Sequence, residues 1–92
     1  MSDGKEPNVS VRGTCIVVID NGFVNVGDVT ICEGPFGAEV VITRSRNLRK
    51  WGTTQGLGEL RVGPTGETIT DEEGTTIVPY NRVVKIIPAT GW

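Results

Sequence analysis

Ninety-two residues make one small domain, with a loosely attached tail expected over residues 1–8 and a single folded unit over residues 9–92. The formal net charge of −2 excludes a general nucleic-acid coat, because nonspecific phosphate binding needs a sustained cationic surface. No apolar run reaches the roughly 18 residues of a membrane span, and the polar opening is unlike a secretory signal, so neither a membrane partner nor export is expected.

Val, Ile and Thr number 13, 8 and 11, against three Leu and two Ala. Branched β-carbons lose rotamer freedom in a helix and pack well on a pleated surface, so the composition predicts an all-β fold punctuated by 13 Gly and 5 Pro. A chain this short buries a modest share of its surface, which makes a homo-oligomer a natural supplement.

In chain order, residues 9–11 begin a strand and residues 15–20 form a buried one. Asn21-Gly22 is the strongest short hairpin signal present. The returning strand, residues 23–31, has its apolar phase at Val24 and Val26, then at Val29 and Ile31. The slip at Gly27-Asp28 predicts a β-bulge that keeps all four on one face. A two-residue turn would set Cys15 opposite residue 28 or 29 and leave Cys32 beyond disulfide reach, so both thiols are expected free and buried. Residues 33–37 form a turn, with Phe36 tucked inward or exposed at its tip, and residues 39–44 form a third strand.

Residues 46–51 read equally as extended strand or irregular loop. Residues 54–61 can hold one or two helical turns, with Thr54 as N-cap and Leu57 and Leu60 spaced i, i+3, ended by Gly63-Pro64. Residues 67–70 and 75–78 flank an acidic turn at residues 71–74, a second hairpin. Pro79-Tyr80-Asn81-Arg82 is a tight turn before a last strand at residues 83–87. Five to six short strands with a one-turn break before the last predict a small, strongly bent β-barrel of the Sm-like or SH3-like kind.

The absence of histidine removes the commonest general base and metal ligand, and none of the three serines sits in a nucleophile elbow. No catalysis, metal or cofactor is expected. Asp71-Glu72-Glu73 has oxygen ligands for a cation, yet it reads better as a solvated turn. Gly63-Pro64-Thr65-Gly66 lacks the lysine and following helix of a phosphate loop, leaving Thr65 to local side-chain bonding or a peripheral ligand contact.

The informative island is Arg44, Arg46, Asn47, Arg49, Lys50, Trp51, Gly52, Thr53 and Thr54. Residues 40–66 carry five cations and one acid, whereas the remainder carries four cations and ten acids. Guanidinium groups bind phosphate bidentately, an indole gives a base a stacking face, and the small residues offer amides and hydroxyls. The competing reading is a charged strand face with Trp51 folded into the core. Tyr80, Arg82 and Lys85 join the basic surface if a barrel closes. Trp92 demands burial, either in a neighbouring subunit or nowhere if it lies in a free tail.

The run Val41-Ile42-Thr43-Arg44-Ser45-Arg46-Asn47-Leu48-Arg49-Lys50-Trp51, with Gly56-Leu57-Gly58-Glu59-Leu60 and Gly63-Pro64-Thr65 behind it, resembles a family of small uncharacterised β-rich proteins encoded by bacteriophages and prophages. Ser45 takes the small position before Arg46, and Trp51 matches the family's tryptophan. The likeness spans about residues 15–88 and carries no activity to transfer. It implies a role by binding in a host cytoplasm: sequestering an anionic, nucleotide-like signalling molecule, blocking a host protein, or decorating a virion. Single-stranded nucleic acid is a third and less favoured partner.

Overall fold

A computed structural model describes residues 9–52 and 56–92, so the expected tail at residues 1–8 lies outside the described residues. Five strands, β1 (Val9–Ile19), β2 (Val24–Gly34), β3 (Gly37–Lys50), β4 (Ile69–Pro79) and β5 (Val83–Pro88), form one antiparallel sheet in the order β4-β3-β2-β1-β5. Two 3-10 turns interrupt them, at Leu57–Val62 and Tyr80–Arg82. The all-β expectation holds. Closure into a barrel does not follow, since no pairing joins β4 to β5 among the described residues.

The sheet is nevertheless bent. Laid flat, the two edge strands of a five-stranded sheet stand roughly 19 Å apart at about 4.8 Å per step. Here a three-residue 3-10 turn, rising about 2 Å per residue, carries the chain from one edge strand to the other. The tight turn foreseen at residues 79–82 therefore sets the curvature of the whole sheet.

Both faces of the sheet are packed. Cys15, Val17, Val29, Val40 and Ile42 form one buried cluster, flanked by Ile19, Ile31, Val83 and Ile86. Ile16, Val24, Val26, Leu48 and Leu60 form a second cluster, flanked by Val18, Leu57, Ile87, Ala89 and Trp92. Successive side chains of a strand point to opposite faces, so the unbroken apolar run of β1 serves both clusters at once. Leu57 and Leu60 meet the second cluster together because residues three apart eclipse in a 3-10 helix. That turn begins after Gly56, and the Gly63 amide closes it on the Leu60 carbonyl at 2.9 Å.

The two-faced packing corrects the reading of β2. Val24 and Val26 belong to one cluster and Val29 to the other, so the four apolar residues do not share a face. Against β1, β2 pairs without interruption from Val29 to Val24. The irregularity at Gly27 lies in the pairing with β3: between Val26↔Arg46 and Asp28↔Thr43, β2 advances two residues and β3 advances three. The inserted residue is thus in β3. A Cβ on Gly27 would lie 2.7 Å from both the Ile42 side chain and the Thr43 carbonyl oxygen, which is why glycine faces the bulge.

The second hairpin is also absent. Residues 69–79 are one strand, because β3 runs unbroken to Lys50 and offers a ladder for the whole segment. Between Ser45↔Gly74 and Arg46↔Glu72, β4 carries one extra residue, Glu73, which restores the register that the β3 bulge displaced. Gly74 has φ 73°. A bulge and a tight turn ask for the same residues, so the acidic-glycine run reads as either. Residues 9–19 similarly form one strand, with its own irregularity between Val11 and Gly13.

The Asn21-Gly22 hairpin is present with three linking residues: Ile19 and Phe23 close it, and the Gly22 amide donates to the Ile19 carbonyl at 2.9 Å. Cys15 consequently faces Gly27, and Cys32 faces Val9. Both cysteines are free as expected; Cys15 is buried and Cys32 half-buried. Phe36 stands fully exposed at the tip of the β2–β3 turn.

One buried polar link crosses three strands. Asn25, 2% exposed, donates through Nδ2 to Ser45 Oγ at 2.9 Å and to Glu73 Oε1 at 2.7 Å. It joins the two bulges to β2. Gly27→Ala should cost about 1–3 kcal/mol in urea unfolding, since the backbone it would strike has little room to move. Glu73→Ala should cost about 1–2 kcal/mol by leaving a buried amide proton without its charged acceptor, while Glu73→Gln keeps most of the stability. Wild-type midpoints for both Gly27→Ala and Glu73→Ala would contradict the bulge as the fold's register lock.

Candidate functional site

Alternation along β3 divides the basic island. Leu48 packs in the cluster containing Trp92, which puts Arg46 on that face and Asn47 on the other; Arg49 reaches Asp71, the cross-strand partner of Asn47, and Lys50 follows an irregularity in the ladder after Leu48. Each side chain then meets different neighbours.

Arg44 sits in the bulge and is the one non-glycine residue with positive φ among those described, at 51°. The turned backbone delivers its guanidinium to Asp28, with Nε 2.9 Å from Oδ2. Thr14 Oγ1 donates to the other carboxylate oxygen at 3.0 Å. Hydrogen bonds from Arg44 first, and from Thr14 second, hold the Asp28 carboxyl below the usual carboxylate range. Arg46, opposite Val26 on one side and Glu72 on the other, is exposed, and its side chain makes no ion pair or hydrogen bond among the described residues.

Trp92 reaches this same place. Its indole Nε1 donates to the Leu60 carbonyl at 2.8 Å, and the chain leading to it is pinned by the Ala89 amide on the Thr14 carbonyl. Trp92 is therefore half-buried against its own domain and does not lie in a free tail. Thr14, Val26, Asp28, Arg44, Arg46 and Trp92 line a depression of about 60 Å³. A second, of about 320 Å³, opens between Arg44, Arg46, Ser45 and Glu72. The two arginines form the ridge between them.

The rest of the island is engaged elsewhere. Asn47 Nδ2 donates to the Val24 carbonyl at 3.4 Å. Arg49 makes a two-pronged pair with Asp71, Nε to Oδ2 at 2.9 Å and Nη2 to Oδ1 at 3.2 Å. Lys50 Nζ lies 3.9 Å from Glu67. Trp51 is 39% exposed and belongs to neither core cluster, so it is not the folded-in tryptophan of the competing reading. Its carbonyl accepts from Thr68 Oγ1 at 2.6 Å, and the Gly52 carbonyl accepts from Thr65 Oγ1 at 2.8 Å. Thr65 also takes the Glu67 amide, so its hydroxyl fastens the residue 64–68 turn to the end of β3. Thr53 and Thr54 lie outside the described residues.

Sequence reasoning found Arg44 and Arg46 but not Thr14, Asp28 or Trp92 beside them. Trp92 carried a signal in its unexplained position. Asp28 carried none, because a single aspartate after a glycine reads as a turn residue. Chemically, the place offers one paired and one unpaired guanidinium, a hydroxyl and an indole. Among the described residues no group of three His, Cys, Asp or Glu is placed to hold a metal ion. Burial pushes the Cys15 thiol up, away from the thiolate form that a nucleophile needs.

The Asp28 carboxyl titrates lower in the folded chain than in the unfolded one. Its contribution is therefore complete above about pH 4, near the unfolded value, and is lost as pH falls through the folded value. Asp28→Asn should flatten that part of the profile: below about pH 4 the melting temperature of the variant should fall less steeply than that of the wild type, as read by circular dichroism. Parallel profiles would show that the Arg44–Asp28 pair contributes nothing.

Compared with known proteins, the chain matches no family model, no curated protein and no solved structure.

Proposed function

We propose that this protein is a non-enzymatic binding module whose Arg44–Arg46–Trp92 depression takes up a small anionic ligand. The observation that carries the reading is Arg46: an exposed guanidinium with no partner among the described residues, fixed on a strand beside a second arginine and a hydrogen-bonded indole. The planar guanidinium fork matches a phosphate or carboxylate bidentately, so less entropy is lost per hydrogen bond formed. The smaller depression suits a single anionic group, and the larger one beside it leaves room for the body of the ligand.

Within that reading, a nucleotide-derived ligand suits the site best, with phosphate on the arginines and the half-buried Trp92 indole at hand for a base. The resemblance to phage and prophage proteins extends it to sequestration of a host signalling nucleotide in the cytoplasm. The scaffold reads as a barrel of the Sm-like or SH3-like kind left open between β4 and β5. A homo-oligomer is the natural way to cover the two unpaired edges. Asp28 and Glu72 flank the arginines, so the site discriminates among anions by geometry and is no general cationic basin. That balance weighs against a nucleic-acid partner, whose binding draws on many phosphates at once.

A melting screen with cyclic dinucleotides, ADP-ribose and mononucleotides tests this. A true ligand at about a hundredfold its Kd should stabilise by about 2.7 kcal/mol. Arg46→Glu should abolish the shift, Glu72→Gln should enlarge it, and Arg49→Ala, at the Asp71 pair, should leave it unchanged. A panel without any response, or a response indifferent to Arg46→Glu, rejects the reading.

A further inference from the structure

We infer that a second surface, centred on Tyr80 and remote from the arginine ridge in the fold, docks an extended segment of another protein bearing acidic and apolar side chains. Phe36 is fully exposed and Tyr80 is 49% exposed. With Ala38, Pro79 and Asn81 they border a cleft of about 490 Å³ between the β2–β3 turn and the 3-10 turn at Tyr80–Arg82. The other side of Tyr80 opens into a depression of about 270 Å³ that includes Arg12, Ile31, Val84 and Lys85. Tyr80 thus stands as a shared wall between two hollows along one track.

The charges identify the occupant. The chain has more acids than bases, yet no carboxylate lines either hollow. Arg82 lines the cleft and is tied to Asp20 at 2.6 Å. Arg12 and Lys85 make no ion pair or side-chain hydrogen bond among the described residues. Two cations without an acidic partner among the described residues share the Tyr80 hollow, and the exposed Phe36 ring lies across Tyr80 in the adjoining cleft, so the track is complementary to acidic groups interleaved with apolar ones. Aromatic side chains with arginine dominate interface energetics, because they bury large area at low entropic cost. A compact nucleotide fits less well here, since the two hollows lie on either side of Tyr80 and an extended segment can reach both.

The test is selection of random 12-residue peptides displayed on phage or yeast against the intact protein, followed by anisotropy titration of the enriched sequences. Enriched peptides should place Asp or Glu within a few positions of Phe, Leu or Ile. Their affinity should drop at least tenfold for Phe36→Ala and for the double variant Arg12→Glu, Lys85→Glu, and should weaken with added salt. Arg46→Glu should leave it intact, which separates this surface from the anion site. Phe36 is solvent-exposed, so its truncation leaves the fold whole, as circular dichroism would verify. The inference is overturned if enriched peptides are basic, or if none depends on Phe36. It is equally overturned if sedimentation shows Phe36-dependent self-association, which makes the occupant a second copy of this chain.

Discussion

At Gly27 the backbone of β2 approaches β3 so closely that no side chain fits between them, and much of the molecule follows from that contact. The extra β3 residue it accommodates turns Arg44 into a left-handed conformation and toward Asp28. It also rotates Ser45 inward, where Asn25 meets it. Left alone, the insertion would throw β4 out of phase. The matching bulge at Glu73 absorbs the displacement, and the same Glu73 carboxylate accepts from Asn25. Two irregularities that each cost ladder hydrogen bonds are joined by one buried amide. A buried polar group is costly unless satisfied, so this arrangement selects one register among those the β-branched strands would otherwise tolerate.

A chain of this length buries only a modest share of its surface on folding. This chain uses both sides of its sheet. The first cluster gathers residues from β1, β2, β3 and β5. The second is covered by the 3-10 turn at Leu57–Val62 and by the closing segment that ends in Trp92. The covering segment is also what brings an indole to Arg44 and Arg46. Core formation and the candidate site are thus coupled through Trp92, which packs on the second cluster and also lines the depression. The charged residues follow a similar economy, with Arg44, Arg49 and Arg82 each held by an aspartate from another part of the chain. Such exposed pairs contribute little stability individually. Their effect here is to single out the cations that stay unmatched.

Much of the fold was legible in the residues themselves. The surplus of Val, Ile and Thr announced strands, Asn21-Gly22 a hairpin, and residues 79–82 a tight turn, since each rests on local backbone preference. Residues 71–74 misled for an equally local reason: a bulge ending in a left-handed glycine and a hairpin turn draw on the same residue types. The slip in β2 misled because alternation identifies a face only when the opposite face is solvated. In the site, Arg44 and Arg46 were found and their setting was not. Asp28 and Asp71 lie 16 and 22 residues from the arginines they hold, and nothing in either neighbourhood names the other.

By itself, the chain's chemistry dictated strands, turns and the concentration of positive charge in one stretch, because these depend on near neighbours and composition. Which of those charges face one another, which are neutralised, and that Trp92 in place of Trp51 stands beside the arginines, were settled only on folding. The reason is geometric: one inserted residue in β3 decides which side chains share a face, and that insertion is fixed by a glycine on a different strand.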